Sequence, residues 1–584
     1  MNQPTLEQLY DEAKRHHQAG RLPEAEGLYR QMISRDADNA DAQHLLGVIA
    51  FQSGRRDEAL ERIGRAIQID PRRAEFHANL GLVLADSDPE QAIAAFRRAI
   101  AIRPDFVAAL KNLGTYLGDL GRLDEGAEIL GRALNLGGDV AESLSQIALS
   151  LRAIARVQES LKIYDSILAA RPDHSIIHGD RCYLLQLLPE YDAPAILREH
   201  LEWNRRHAEP LASKIVRHSN DRNPDRRLRV GYVSPDFKYH CQQFFMAPLL
   251  SRHDHGQFEI YCYARVAEPD EVTQEMRTRY ADVWRDTVNQ SDEEVAGQIR
   301  EDKIDILVDL TMHMPAGRPL LFARKPAPVS ITWLAYPGTT GMPAIDYRLT
   351  DPYLDPPGQT DSYYAEKSIR LPDTFWCYDP RTSGFEPNAL PALSAGHITF
   401  GCLNSFCKVN DRVLELWSRV LGRLPTSRLI LYLSDLEHRK KIPPRLGVDP
   451  ARVEFFPLQT RNDYLRTYHR IDLGLDTIPY NGHTTSLDSF WMGVPVVTLV
   501  GKTVVGRAGW SQLNNLKLTE LAAFNEDDFV RIAVELAGDL PRLAELRRGL
   551  RHRMEKSPLM DATLFTRHLE ATYRQLWRKW CGHV

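Results

Sequence analysis

A regular spacing of small residues along the first third of the chain constrains its fold more than any other feature. Glycines recur at intervals of 34 and 33 residues, at Gly47, Gly81 and Gly114. Alanines recur at intervals of 33 and 34 residues, at Ala66, Ala99 and Ala133. Such spacing is typical of helix pairs that approach closely and that bury their apolar faces only by stacking on their neighbours. The first third is therefore predicted to be a stack of helix pairs.

A period of about 34 residues is typical of the tetratricopeptide repeat, a helix-turn-helix unit. Five units are predicted, over residues 6–39, 40–73, 74–106, 107–140 and 141–174. The stacked units form an α-superhelix with a groove that suits an extended peptide or a partner protein. A purely scaffolding or dimerising role is equally open, because repeats alone do not identify a reaction.

Beyond the repeats, residues 1–174, the sequence predicts a helical connector and then two α/β lobes. Residues 175–225 are polar and helical in pattern. From Leu228 onward, short runs rich in β-branched and aromatic residues alternate with charged stretches of helical length, as in a parallel sheet wrapped by helices. A stretch rich in Pro, Gly and Ser, residues 379–396, predicts a boundary between a lobe at 226–390 and a lobe at 391–584 with a terminal helix.

Composition and motif content exclude several classes of function. The chain has 584 residues and a formal net charge of -5, so no basic excess points to nucleic acid as a partner. No apolar stretch approaches the ~20 residues that cross a bilayer, and charges near the start argue against export. The seven cysteines are scattered and never spaced as CxxC, which predicts neither a disulfide framework nor a zinc cage. A cytoplasmic protein is therefore expected.

The segment at 476–500 is the most informative for chemistry. A strand ends at Asp476, a loop with Pro and Gly follows, and His483, Thr484 and Thr485 lie where the next helix should begin. Free backbone N–H groups at a helix start, supplemented by hydroxyls, form a good diphosphate cradle. The simpler interpretation is that one of the threonines is only an N-cap.

Three further side chains follow predicted strands on the cleft side. Lys408 could neutralise a departing phosphate, although a solvated surface lysine is the simpler interpretation. His240 could accept a hydroxyl proton or orient an acceptor, and His313 has the same placement after a later strand. For both histidines a structural role is equally open. The only DxD triplets lie within the repeats, so no metal at the nucleotide and no cofactor is expected.

Several long motifs in one order resemble a known family. The repeats are followed by RVGYVSPDF with a His shortly after, DILVDL, RKPAPVSITWLAYPGTTG, IDYRLTDPYLDPP, an FGxxN...K segment and NGHTTSLD. This arrangement is similar to the eukaryotic protein O-GlcNAc transferases and their bacterial relatives, over essentially the whole chain. The resemblance implies a two-lobed Rossmann-like GT-B fold. It also implies transfer of GlcNAc from UDP-GlcNAc, with inversion and without a metal, to Ser or Thr hydroxyls of proteins.

The resemblance also implies roles for individual residues. His240 matches the family's active-site histidine, and Lys408 matches its diphosphate-binding lysine. The remaining matches are expected to bind the nucleotide sugar. His483, Thr484 and Thr485 would contact the uridine and diphosphate, and Asp488 would bind the ribose. Other parts of the donor site would be formed by Asn404, Ser405, Arg461, Tyr464 and His313, and the region beside the sugar by Pro337, Gly338 and Thr339.

The sequence departs from the family pattern at a few positions, and these keep alternatives open. Ser405 stands where relatives usually have Asn or Gln, Tyr464 where they often have His, and Met312 where bacterial relatives often have Gly. One alternative is a protein O-fucosyltransferase that uses GDP-fucose, although that branch lacks the histidine at position 483. Another is a non-catalytic repeat scaffold that retains nucleotide binding. Protein acceptors, a nucleotide sugar and a second copy in a homodimer are the expected partners.

Overall fold

The first part of the chain is a run of paired helices. A computed structural model describes residues 3–582, and these divide into two compact units, the first comprising residues up to Leu151 together with Lys162–Pro172. The helices of the repeat region are α1 (Leu6–Gln18), α2 (Leu22–Arg35), α3 (Ala40–Gln52), α4 (Arg56–Ile69), α5 (Ala74–Leu84), α6 (Pro89–Ile102), α7 (Val107–Asp119), α8 (Leu123–Asn135), α9 (Ala141–Ala153) and α10 (Val157–Ala170). Each predicted repeat contains one helix pair, and the α-helical prediction for this region is confirmed.

The periodic glycines lie where the two helices of a pair touch. A Cβ atom on Gly47 would lie 2.6 Å from a side-chain carbon of Ile63, and one on Gly81 would lie 2.7 Å from the ring of Phe96. Both distances are too short for a carbon–carbon contact, so only glycine allows the helices to approach this closely. The regular spacing of the glycines in the sequence therefore reflects the close packing of the two helices in each pair.

The second compact unit comprises Arg152–Leu161 and the chain from Asp173 onward. It begins with two connector helices, α11 (Ser175–Leu184) and α12 (Ala193–Trp203). Asp192 caps α12 by accepting a hydrogen bond from the N–H of Ala195, and a proline follows at the start of the helix. Further helical turns continue to Lys214 before the first sheet begins.

The first lobe contains a sheet of seven strands in the order β3-β2-β1-β4-β5-β6-β7, and all neighbours pair in parallel. The strands are β1 (Leu228–Ser234), β2 (Phe258–Ala264), β3 (Val283–Asp286), β4 (Ile306–Asp309), β5 (Val329–Thr332), β6 (Tyr347–Thr350) and β7 (Lys367–Arg370). The helices are α13 (Gln243–Leu250), α14 (Glu271–Glu275), α15 (Asp292–Glu301) and α16 (Pro319–Ala323).

The second lobe contains a sheet of six strands in the order β10-β9-β8-β11-β12-β13, again parallel throughout. The strands are β8 (Thr399–Cys402), β9 (Arg428–Tyr432), β10 (Val453–Phe456), β11 (Leu473–Leu475), β12 (Val496–Leu499) and β13 (Ala522–Ala523). The helices are α17 (Ala392–Ala395), α18 (Asp411–Arg423), α19 (Leu436–Leu446), α20 (Arg461–Thr467), α21 (Thr484–Trp491), α22 (Ala508–Leu516), α23 (Glu526–Gly538), α24 (Leu540–Glu555) and α25 (Ala562–Cys581).

The terminal helix α25 packs against the first lobe. The hydroxyl of Tyr573 lies 3.2 Å from that of Tyr232 on β1, and the carboxylate of Glu570 lies 2.8 Å from the Nδ1 atom of His253. Two parallel sheets wrapped by helices confirm the predicted two-lobed α/β class. Within residues 3–582, every helix falls short of the length or the apolarity that a bilayer span requires.

Candidate active site

The order of strands reverses at one position in each sheet, and the predicted residues follow the strands beside those positions. In the first lobe β1 lies next to β4, and in the second lobe β8 lies next to β11. In open parallel sheets a ligand crevice forms at such a switch point, outside the carboxyl ends of the strands. His240 follows β1, His313 follows β4, Lys408 follows β8 and His483 follows β11. The topology therefore puts all four at ligand-binding edges.

The ammonium of Lys408 lies against the loop that leads to α21. Its Nζ atom donates a hydrogen bond to the carbonyl of Asn481 at 2.8 Å and lies 4.1 Å from the centroid of the Tyr480 ring. Burial lowers the pKa of Lys408 to about 8, although Cys407 and Asp476 act in the opposite direction. An anion bound beside Lys408 would restore the stabilisation that the ammonium loses on burial.

A buried carboxylate, Asp476, shapes this loop. Its Oδ1 atom accepts hydrogen bonds from the backbone N–H groups of Thr477 and Gly482 at 2.8 and 2.7 Å, and its Oδ2 atom accepts one from the hydroxyl of Thr498 at 2.7 Å. Gly482 leaves room for the next helix, because a Cβ atom there would lie 2.2 Å from the Ser486 hydroxyl. The carboxylate therefore fixes the path of the chain up to the helix start.

The amino end of α21 is open to a ligand. His483 occupies the N-cap position and no side chain caps the helix, so the interpretation of Thr484 or Thr485 as the N-cap is wrong. The hydroxyl of Thr485 donates instead to the side-chain oxygen of Asn404. The N–H groups of the first turn thus have no side-chain acceptor, which is the arrangement that binds phosphate.

The ring of His483 is part of an aromatic stack beside this helix start. It stacks on Tyr480 at 4.8 Å between centroids and meets the edge of Trp376 at 5.2 Å. Burial and the nearby charge of Lys408 hold the pKa of His483 well below its usual value, so the imidazole is neutral at pH 7.

Asp488, on the second turn of α21, is already engaged by two side chains. Arg461 donates to both of its oxygens, and the hydroxyl of Tyr378 donates to Oδ1. The guanidinium of Arg461 also lies 4.3 Å from the ring centroid of Phe244, on the helix that follows His240. Arg461 therefore connects the two lobes, and this role was not predicted.

Tyr464 and Ser405 have different surroundings. The hydroxyl of Tyr464 lies 2.8 Å from that of Tyr468, which in turn donates to the backbone carbonyl of Thr485 at 3.0 Å. Tyr464 is therefore linked to the helix start through one intermediate residue. Ser405 is exposed, and its hydroxyl lies 3.2 Å from the sulfur of Cys407.

His240 lies at the edge of the first lobe. Its Nδ1 atom is 3.6 Å from the Asp236 carboxylate, and its Nε2 atom is 3.7 Å from the sulfur of Cys241. Burial disfavours the charged imidazole and lowers the pKa of His240. The contacts with Cys241 and Asp236 favour the charged form more strongly, so the net effect is a raised pKa. Cys241 also contributes to the electrostatic environment of Lys408. The loops that carry His240 and Lys408 therefore lie close together.

His313 supports a loop from within the protein core. Its Nε2 atom lies 2.8 Å from the carbonyl of Thr340, and its ring packs against Trp203 and His200 at 4.5 and 5.2 Å. Burial lowers the pKa of His313 to about 3, so the ring is neutral and Nε2–H donates to the carbonyl. The preceding residue, Met312, has a φ of 52°, in the left-handed region that favours glycine.

The loop at 336–341 is held by two buried charged residues that were not predicted. Arg348 donates to the carbonyls of Pro337 and Gly338, each at 3.0 Å. Glu366 accepts hydrogen bonds from the hydroxyl of Thr339 at 2.7 Å and from the N–H of Thr340 at 2.6 Å. The shape of this loop therefore depends on contacts with distant parts of the chain.

The structure brings the predicted residues together in three groups. The first surrounds the start of α21 and contains Lys408, His483, Thr484, Thr485 and Asn404. The second group is the pair of Asp488 and Arg461. Tyr464 lies beside this pair, because the guanidinium of Arg461 is 5.5 Å from the centroid of the Tyr464 ring. The third is His313 with the loop that contains Pro337, Gly338 and Thr339, while His240 lies on its own loop near Lys408. Five residues that support these groups have no sequence signal that predicts them: Asp476, Tyr480, Tyr378, Arg348 and Glu366.

Comparison with known proteins identifies similar chains. The model of Glycosyl transferase family 41 matches residues 193–384 and 388–569, and two Tetratricopeptide repeat models match residues 16–81 and 82–141. A Petunia hybrida protein named Probable UDP-N-acetylglucosamine--peptide N-acetylglucosaminyltransferase SPINDLY is 37% identical over 70% of this chain and 45% of its own length. An Arabidopsis thaliana protein of the same activity name, called SEC, is 30% identical over 61% of this chain and 38% of its own length.

A solved structure covers more of the chain. A mutant of the Thermobaculum terrenum O-GlcNAc transferase is 34% identical, superposes with a TM-score of 0.71, and the match covers 94% of this chain and 99% of that chain. The chain spans less than half the length of the plant relatives. The family model alone covers well over half of the residues. The chain therefore belongs to glycosyl transferase family 41.

Proposed function

We propose that this protein is an O-GlcNAc transferase that moves GlcNAc from UDP-GlcNAc to Ser or Thr hydroxyls of protein acceptors, with inversion and without a metal. The observation that carries the proposal is the hydrogen bond from Lys408 to the loop that ends at the uncapped start of α21. Family membership and the names of the similar proteins support the same activity.

The start of α21 and Lys408 would hold the diphosphate. In the transfer, the bond from the anomeric carbon to the β-phosphate oxygen breaks, and negative charge builds up on that oxygen. The ammonium of Lys408 and the N–H groups of Thr484 and Thr485 would stabilise this charge. Donors of this kind, fixed before the reaction, contribute more to rate than flexible surface charges.

His240 is the proposed acceptor-side residue. As the acceptor oxygen attacks the anomeric carbon from the face opposite the diphosphate, its proton must pass to a base. The imidazole of His240 lies on the loop near Lys408, and its raised pKa makes it a better proton acceptor than a free histidine.

The remaining predicted residues are proposed to bind the rest of the donor. Asp488, held by Arg461, would bind the ribose, and Tyr464 would lie beside the base. Asn404 orients Thr485 at the diphosphate, and Ser405 lies at the exposed rim. Pro337, Gly338 and Thr339 would form the floor beside the sugar, with His313 holding this loop in place.

Each segment of the chain has a proposed role. Residues 1–174 would bind protein acceptors in the repeat groove, 175–225 connect, 226–390 form the first catalytic lobe, and 391–584 form the lobe that binds the nucleotide sugar. A cytoplasmic location and a homodimer are also proposed. Fractionation of the host and sedimentation of the purified protein would test these two points.

The experiment is to incubate the full chain with UDP-GlcNAc and a host lysate and to measure added hexosamine on peptides by mass spectrometry. We expect transfer by the wild type and by K440A, a variant of an exposed lysine whose side chain is 71% accessible. We expect loss of transfer in K408A with the fold retained. Equal transfer by K408A and K440A would remove Lys408 from the mechanism.

A screen of donors separates the alternatives. Thermal stabilisation by UDP and UDP-GlcNAc but not by GDP or GDP-fucose is the expected result. Stabilisation by GDP-fucose alone would favour fucose transfer, and UDP binding without turnover would favour a scaffold that only retains the nucleotide.

A further inference from the structure

A cluster of three residues with metal-binding chemistry lies in the connector, apart from the nucleotide site. His178 and Cys182 are four residues apart, on one face of α11, and Glu199 lies on the adjoining α12. The Nε2 atom of His178 is 2.8 Å from Oε1 of Glu199. The ligand atoms of all three residues lie within 4.8 Å of one another.

The cluster is well shielded. Cys182 is fully buried and His178 is 2% exposed, whereas the Glu199 side chain is 23% exposed. The partly exposed carboxylate of Glu199 gives solvent, and therefore an ion, access to the cluster.

The donor set fits zinc. Thiolate, imidazole and carboxylate are the three ligand types that Zn²⁺ uses in proteins, at distances of about 2.0 to 2.3 Å. Tetrahedral coordination at these lengths separates the ligand atoms by about 3.3 to 3.6 Å. In the cluster, Nε2 of His178 and Oε1 of Glu199 are 2.8 Å apart and all three ligand atoms lie within 4.8 Å of one another, which is the scale of a single ion site. Hard, oxygen-preferring cations such as Mg²⁺ and Ca²⁺ do not suit a buried thiol.

The surroundings of His178 resemble the outer contacts of a metal site. Its second nitrogen, Nδ1, lies 2.9 Å from Nε2 of His207. A metal-bound histidine usually donates its other N–H in this way, which orients the ring and leaves the first nitrogen free to bind. Arg181 lies 2.6 Å from Oε1 of Glu199, the same oxygen that faces Nε2 of His178, and fixes the position of the carboxylate.

A plain hydrogen-bond network explains the cluster only in part. His178, Glu199 and Arg181 satisfy one another without a metal. Such a network has no need of a thiol directed at the same point, and Cys182 supplies one. We propose that His178, Cys182 and Glu199 bind a zinc ion that clamps α11 to α12, with water as the fourth ligand.

The clamp would act on the fold of the donor loop. His200, next to Glu199, lies 3.3 Å from the hydroxyl of Tyr336 and contacts the ring of His313. Fixing α12 therefore fixes two supports of the loop at 336–341. The zinc takes no part in sugar transfer, and the proposal stands or falls independently of the proposed activity.

The test uses the full chain, purified, stripped with a chelator and titrated with Co²⁺. We expect one equivalent of Co²⁺ to bind with a thiolate-to-cobalt charge-transfer band in the near ultraviolet, and Zn²⁺ to displace it. We also expect zinc to raise the thermal midpoint of the stripped protein. The absence of a charge-transfer band in the wild type would overturn the proposal, whatever the behaviour of any variant.

Three variants assign the site. C182S should lose the band, and E199Q should bind Co²⁺ at least about tenfold more weakly, a cost of about 1.4 kcal/mol. C262S is the matched control, because Cys262 is also fully buried but lies on β2 away from the cluster. A band that persists in C182S, or that disappears equally in C262S, would show that the thiol ligand is not Cys182.

Discussion

The two terminal guanidinium nitrogens of Arg461 each donate a hydrogen bond to one carboxylate oxygen of Asp488, at 2.7 and 2.5 Å. The pair is largely buried, with side-chain exposures of 14% and 2%. It joins α20 to α21, and the stacking of Arg461 on Phe244 extends the contact to the first lobe. One ion pair thus sets the position of the proposed ribose ligand relative to the helix that follows His240.

Replacing Arg461 should destabilise the catalytic lobes. In R461A the buried carboxylate of Asp488 loses its guanidinium partner and keeps the hydrogen bond from Tyr378. Breaking a buried ion pair in this way lowers the free energy of unfolding by about 3 to 5 kcal/mol. We expect a lower thermal midpoint and weaker UDP binding. The control is R466A on the same helix, whose pair with Asp463 is 61% and 51% exposed and worth about 0 to 1 kcal/mol. Equal shifts in the two variants would contradict the prediction.

Lys408 predicts a pH dependence of UDP binding. Its pKa in the free protein is about 8, and a bound diphosphate favours the charged form and raises that pKa. The affinity for UDP is therefore highest below about pH 8 and falls by up to about tenfold per pH unit as the pH rises further. Near and above pH 8, binding is accompanied by uptake of a proton at Lys408. Calorimetry in buffers of different ionisation enthalpy measures both quantities.

The variant K408R separates this charge from other titrations. A guanidinium stays protonated over the whole range, so binding to K408R should be nearly independent of pH. K440A should retain the wild-type pH profile. A K408R profile that still falls near pH 8 would assign the titration to another group.

Local sequence patterns predicted most strands of both sheets but missed β3, β6 and β7 in the first sheet and β13 in the second. The runs LRVGYVS and FEIYCYA are β1 and β2 with the same bounds, because both are apolar enough to be buried on two faces. The strand Val283–Asp286 at one edge and the strand Lys367–Arg370 at the other were missed, because each has four residues and carries charged side chains. Edge strands need fewer apolar residues, so the periodic signal is weak.

The same limit applies to the candidate site. His240 and Lys408 were singled out because each follows a strand by a short loop, and the family resemblance supplied their expected roles. The contact of Asp488 with Tyr378 spans 110 positions, and that of Thr340 with Glu366 spans 26. Such pairings depend on the tertiary fold, and no local pattern marks them. The same is true of the approach of Glu199 to His178.

His240 predicts an acid limb in the rate profile. A general base must be neutral, so activity should be present above the pKa of His240 and lost below it. Because the Asp236 carboxylate contributes to the raised pKa, D236N should move the acid limb to lower pH. H240N should lower kcat by about 10²- to 10⁴-fold.

The control for this series is D286N, because Asp286 on β3 is 60% exposed. It should leave the acid limb in place. An acid limb that is unchanged in D236N, or that persists at the same pH in H240N, would assign the base to another residue.

Glu366 should separate binding of the sugar from binding of the nucleotide. It is 3% exposed and holds Thr339 and Thr340, so E366A frees the loop at 336–341 and leaves buried donors unpaired, at a cost of about 1 to 3 kcal/mol each. This loop is proposed to contact the sugar but not the nucleotide. The Kd for UDP-GlcNAc should therefore rise about tenfold or more, which corresponds to about 1.4 kcal/mol, whereas the Kd for UDP should change little. Titration of both ligands into E366A and into E301A, a variant of an exposed glutamate at the end of α15, measures the split. Equal weakening of both ligands would mean that the loop does not contact the sugar selectively.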